Sequence, residues 1–187
     1  SDWLPKLASG ECVAAFAMAE RPGRLSLTQL ETQRTDERIS GYKTTVPDAA
    51  VADMAVVLAR TGSDVELCLL PLKQEGVTVQ PVLTLDSSRG HSNLILKEAQ
   101  AERLGDRTLE PKEWDRLLDG AAALFAWEQL GIAESALMQA RDYALQRYAF
   151  GRAIGSYQAI KHKLAAMYVK NTLARSNAYY GIWALAE

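Results

Sequence analysis

Apolar residues change their spacing part-way along the chain. They recur at Leu130, Ala133, Leu137, Ala140 and Ala144, and again at Ile160, Leu164, Met167, Ala174, Ala178 and Leu185. Steps of three and four residues put such positions on one face of an α-helix. The pattern predicts two helices, interrupted at Gly151 and Gly155 where the chain turns. A link this short favours an antiparallel pair. Ser156 is placed to cap the second helix with its side-chain oxygen, although no Glu or Gln follows at the position that completes a capping box.

Upstream the pattern is that of strands. Trp3 to Gly10 reads as a short helix or turn, with Pro5 fitting a first helical position. Cys12 to Ala19 is an apolar run suited to a buried strand, closed by the Arg21-Pro22-Gly23 turn. Further strands are expected around Ile39, at Ala52 to Arg60, at Val65 to Leu72 after the turn Gly62-Ser63-Asp64, at Gly76 to Leu85, and at Asn93 to Ala101. Strands of this length separated by turns predict a small β-barrel or sandwich. A polar segment, Glu102 to Lys112, then leads into the helices. The expectation is an α+β chain, with a β-domain over 1–110 and a helical hairpin over 111–187.

Composition narrows the function classes. A chain of 187 residues can build one good core or two small ones. Hydrophobic residues make up 48% and charged residues 24%, which is globular and not disordered. A net charge of -2 gives no support for a nucleic-acid or anionic-membrane partner. No apolar run approaches the ~20 residues of a membrane helix. Cys12 and Cys68 are the only cysteines, expected as buried reduced thiols in a cytoplasmic protein. Neither has the spacing of a metal site.

Candidate chemistry gathers at the corner between the helices, where Arg147, Phe150, Arg152 and Gln158 stand close in sequence. A guanidinium can hold phosphate with two parallel bonds, and a glutamine amide both donates and accepts. On spacing alone the simpler reading is two solvated arginines and a core phenylalanine. A longer motif changes that balance. Arg147, Phe150 and Gly151 form R-x-x-F-G, followed by Gln158 and then His162, Leu164 and Ala165. This resembles the flavin-dependent acyl-CoA dehydrogenases. The stretch Leu4 to Glu20 resembles the run before that family's flavin loop, and Ile39 to Arg60 resembles its next β-strands. The three matches keep the family's order.

The resemblance implies the family's middle β-domain, a barrel or sandwich, followed by part of its C-terminal antiparallel helical bundle. It implies an oligomeric FAD enzyme that desaturates an acyl-CoA between Cα and Cβ, the chemistry of β-oxidation. In such enzymes the corner reaches the FAD of a neighbouring subunit. Arg147 would then pair with its pyrophosphate, Phe150 pack against it and Gln158 hydrogen-bond it. The chain starts inside the family pattern and stops within a helix, so a piece of a longer protein is expected, with apolar helix faces left for other helices or partner chains.

Other family positions are altered. The loop T-E-P-G-A-G-S-D corresponds to Ala19 through Ser26, where Glu20 keeps its place while Arg24 and Leu25 replace small residues. The W-I-T-N strand corresponds to Thr45-Val46-Pro47-Asp48, which lacks the aromatic wall, and Pro47 has no amide hydrogen. In some members the glutamate base lies on the helix before the corner and falls at Ala121 here, with a coenzyme A arginine at Ala122, while other members place the base in later helices. Glu128 and Glu134 on the same helix read as solvated carboxylates. The chain is therefore expected to lend Arg147, Phe150 and Gln158 to the FAD of a homologous dehydrogenase subunit, with no base, flavin loop or metal of its own. The alternative is a non-catalytic dehydrogenase-like scaffold.

Overall fold

Strand β4 (Met54–Thr61) is the centre of the β-rich part because its run of Met, Ala, Val and Leu is buried on both faces. The computed structural model describes residues 3–23, 25–86, 88–106 and 108–187. It divides into two compact units, Ser1–Pro111 and Lys112–Glu187.

The first unit opens with helix α1 (Trp3–Ser9) and strand β1 (Ala14–Ala17), which pairs with β4 in parallel. Strands β2 (Gln33–Thr35), β3 (Arg38–Pro47), β5 (Asp64–Pro71), β6 (Val77–Val82), β7 (His91–Gln100) and β8 (Glu102–Arg103) complete the sheet. Their order is β6-β7-β3-β2-β4-β5-β8, with β1 beside β4. The result is one curled eight-stranded sheet, a half-barrel. A tight turn at Gly62, φ +62°, aligns β4 and β5 from Met54↔Pro71 to Thr61↔Asp64. The core includes Ile39, Val57, Leu70 and Leu94, each fully buried. Cys12 and Cys68 are free and buried, and burial pushes the Cys68 thiol up to about 12, so it stays protonated and inert.

The β3–β7 ladder shifts register twice, between Ile39 and Gly41 and between Lys43 and Val46. At the first shift a side chain on Gly41 would come within 2.5 Å of the Thr32 hydroxyl, so only glycine lets the strands approach. Near the second, Lys43 points into the interior with no exposure and meets Glu20 at 2.9 Å. A second buried carboxylate, Glu66, is shared by Arg34 at 3.0 Å and Arg103 at 3.1 Å.

The second unit contains helix α2 (Pro111–Gln146), the short strands β9 (Tyr148–Ala149) and β10 (Arg152–Ala153), and helix α3 (Gln158–Ala186). Leu130, Leu137 and Ala144 are buried along α2, and Ala178 along α3. Glu134 is ion-paired with Arg175, and Trp127 meets Tyr179 edge-on at 4.7 Å. The earlier residue on α2 faces the later one on α3, so the helices are antiparallel. Both keep apolar side chains uncovered, among them Leu124, Val169, Leu173, Tyr180 and Trp183. Among the described residues no helix is long and apolar enough to cross a membrane.

The link between the helices differs from the expectation. Helix α3 is capped by the Tyr157 backbone with no side-chain cap, and Ser156 instead donates its hydroxyl to the Ala153 carbonyl at 2.7 Å. Ser156 lies in a 3-10 turn, Ile154–Ser156, one residue before the cap position. Two very short elements, β2 and β8, also extend the sheet beyond the strands expected from the pattern.

Candidate functional site

Helix α2 gives out at Arg147, whose amide still reaches the Tyr143 carbonyl at 2.8 Å. The chain then folds into a two-residue hairpin, with Ala149 opposite Arg152 and Tyr148 opposite Ala153. The turn residues are Phe150 at φ +52° and Gly151 at φ +78°. Positive φ at both central positions is the type I′ arrangement, which matches the twist of hairpin strands. Glycine adopts it freely, whereas a residue with a side chain is disfavoured there by about 1–2 kcal/mol.

Three contacts hold this strained tip. The Ile154 amide donates to the Arg147 carbonyl at 2.8 Å. The Tyr157 hydroxyl donates to the Ala149 carbonyl at 2.9 Å. The Arg152 guanidinium lies over the Tyr157 ring, 4.0 Å from its centroid. The following turn packs closely on α2, since a side chain on Gly155 would come within 2.9 Å of the Ala144 carbonyl.

The corner therefore presents its side chains outward. Phe150 is 97% exposed, and the simpler expectation of a core phenylalanine is corrected by that figure. Arg147 is exposed, and its guanidinium makes no hydrogen bond or ion pair among the described residues. Gln158 is the exposed first residue of α3. Of the two corner arginines, Arg152 is already engaged by the Tyr157 ring, which leaves Arg147 as the unengaged one.

The loop at the start of the first unit is arranged in the opposite sense. Glu20 accepts from the Glu31 amide at 2.6 Å, the Thr32 amide at 2.8 Å and the Lys43 ammonium at 2.9 Å. Arg21 pairs with Glu31 at 2.7 Å. Arg24 lies outside the described residues. At the end of β3, the Thr45 amide is taken by the Asn93 side chain at 3.0 Å and Val46 is buried. On α2, Ala121 and Ala122 offer neither a proton acceptor nor a cation. Glu134 keeps a solvent-accessible place on the helix face and pairs there with Arg175 across the hairpin.

Two family models cover most of the chain. The acyl-CoA dehydrogenase middle domain matches residues 15–99, and the acyl-CoA dehydrogenase C-terminal domain matches residues 115–187. The chain belongs to the acyl-CoA dehydrogenase family. The probable acyl-CoA dehydrogenase YngJ of Bacillus subtilis (strain 168) is 30% identical over 195 residues, which is 96% of this chain and 51% of that protein. An acyl-CoA dehydrogenase from Geobacillus kaustophilus shares the fold with a TM-score of 0.87 at 22% identity, covering 99% of this chain and 53% of that one. A glutaryl-CoA dehydrogenase from Mycobacterium smegmatis in complex with FADH2 does so with a TM-score of 0.83 at 22% identity, covering 96% and 48%. The chain spans about half the length of the curated relatives it matches.

An acyl-CoA dehydrogenase family member invites a test of its residues against a flavin. The loop in the first unit does not fit. Glu20 is spent inside the unit, the Thr45 amide is occupied, and Pro47 has no amide to offer. The corner in the second unit fits a phosphate-bearing aromatic cofactor, since it holds an unengaged guanidinium, an exposed ring and a primary amide. Sequence reasoning missed Tyr157 and the hairpin it holds. A residue followed by glycine is a hairpin signal, but phenylalanine at the first turn position hides it, because that place favours Asn, Asp or Gly.

The strain at Phe150 is testable. Phe150→Asn creates the Asn-Gly pair that a type I′ turn prefers and removes a ring that is 97% exposed. The variant is expected to be more stable by about 1 kcal/mol, raising the thermal midpoint. A lower midpoint in calorimetry would contradict the left-handed assignment.

Proposed function

We propose that this chain is one subunit of an FAD-dependent acyl-CoA dehydrogenase of hetero-oligomeric form, in which it completes the flavin site of a homologous partner subunit. Arg147 holds the FAD pyrophosphate, Phe150 packs against the cofactor and Gln158 hydrogen-bonds it. The assembly desaturates an acyl-CoA thioester between Cα and Cβ. Bound FAD supplies the hydride acceptor. Ala121 cannot accept a proton, so the base that takes the α-proton does not stand at that position of this chain. The chain alone is inactive. The cytoplasm, where thiols stay reduced, suits its two free buried cysteines.

One contrast carries this reading: the corner turns Arg147, Phe150 and Gln158 to solvent, while the first unit turns its one family loop residue, Glu20, into the interior. The uncovered apolar faces of α2 and α3 suit an oligomer. The buried Glu20 also favours a second reading, a scaffold that stabilises a dehydrogenase and touches no cofactor.

Co-expression with candidate dehydrogenase subunits, followed by a visible spectrum and a flavin count on the purified complex, separates the two. One flavin for every two unlike chains is expected. A stable complex in which Arg147→Ala leaves the flavin count and affinity untouched supports the scaffold. Flavin on this chain purified by itself overturns the assignment of a degenerate loop.

A further inference from the structure

Phe150 sits at the tip of a hairpin too small to hold itself. Two residue pairs, Tyr148↔Ala153 and Ala149↔Arg152, are all the ladder it has, and a hairpin even longer than this is marginal in water. Its tip carries Phe150 in a conformation that its side chain opposes. Something outside the ladder must keep it there.

Tyr157 has the right connections. Its hydroxyl donates to the carbonyl of Ala149, the residue immediately before Phe150. Its ring receives the guanidinium of Arg152, the residue immediately after Gly151. Its backbone is the N-cap of α3, so it also stands directly before Gln158. One half-buried side chain thus ties both strands of the hairpin to the start of the helix bearing the third corner residue. We propose that Tyr157 is a positioning residue for the cofactor corner, fixing Phe150 and Gln158 in a single arrangement before the cofactor arrives. This rests on the reading of the corner as a flavin contact. Preorganisation of this kind strengthens binding because the ordering is complete in the free protein.

The test uses the assembled complex and measures the FAD dissociation constant from flavin fluorescence on dilution. Tyr157→Phe keeps the ring and its arginine contact and removes the hydroxyl, and it is expected to weaken FAD about 5-fold, the effect of one hydrogen bond. Tyr157→Leu removes both contacts and is expected to weaken it about 20-fold or more. The thermal midpoint of the FAD-free complex should stay the same in Tyr157→Phe, which separates positioning from general stability. A double-mutant cycle gives the sharper readout. If Tyr157 acts through the hairpin tip, Tyr157→Phe adds little once Phe150→Ala is present, whereas a merely structural role makes the two losses add.

Equal FAD affinity in Tyr157→Phe and the parent, with Arg147→Ala still weakening it, overturns the positioning role and leaves the flavin reading intact. Unchanged affinity in both Arg147→Ala and Phe150→Ala overturns the flavin reading and the positioning role with it.

Discussion

Reversing the charge at Arg147 should lower the FAD affinity of the assembled dehydrogenase by about 100-fold or more. The Arg147 guanidinium has no internal partner among the described residues, so Arg147→Glu leaves the hairpin and helix contacts in place. On the proposed role of the corner, the loss is a pair of charge-assisted hydrogen bonds to pyrophosphate, worth about 1.5–3 kcal/mol. A carboxylate put in its place adds repulsion against the phosphates. Arg147→Lys retains the charge without the planar fork and should fall between the two. Flavin titration of the purified complex reads the effect, and calorimetry should show an unchanged midpoint. Undiminished flavin occupancy in Arg147→Glu would sink the proposed role of the corner.

The second large effect lies in the β-unit. Glu20→Gln should destabilise it by about 3–5 kcal/mol, the usual result of breaking a buried ion pair by removing one partner. Lys43 has no exposure and Glu20 very little, so the substitution strands an ammonium in the core. Burial already pulls the Lys43 pKa below its ordinary value, and Glu20 works against that pull. Lys43→Met should be milder, because the Glu20 carboxylate keeps the Glu31 and Thr32 amides. Pairing the two substitutions should recover much of the loss, since apolar replacement of a whole buried pair is often neutral. Hydrogen exchange of the β3 and β4 amides measures each variant.

The same pair gives an acid signature. Burial tends to raise the Glu20 pKa, but the hydrogen bonds from the Glu31 and Thr32 amides and from Lys43 outweigh it and hold it below its ordinary value. Unfolded Glu20 binds its proton first as the pH drops. The stabilisation is therefore complete above pH 4.5 and disappears as the pH falls through the lowered folded value. Glu20→Gln should lose this part of the acid dependence. An unchanged acid limb would mean that the pair contributes nothing to it.

Local pattern was enough for the long elements. The runs at Ala52 to Arg60 and Val65 to Leu72 became β4 and β5, and the three-and-four spacing from Leu130 onward became α2 and α3. Periodicity succeeds there because each residue's face is set by its neighbours in sequence, through the geometry of strand and helix. The R-x-x-F-G motif likewise carried the family, and its residues could be named before any fold was known.

What depended on distant partners was out of reach. Glu20 looked like a surviving loop residue, and only the folded sheet sets Lys43, which shares the inner face of β3 with Ile39, beside it. On spacing alone Phe150 looked like core, and only the hairpin closed by Tyr157 turns it to solvent. Glu134 is expected on a solvated helix face, and only the fold-back of α3 sets Arg175 beside it there. By itself the sequence determined the family, the strands and the two helices, because those follow from local spacing and a contiguous motif. The tertiary structure decided which polar residues are spent inside the protein and which face outward, because that depends on pairings between residues far apart in the chain.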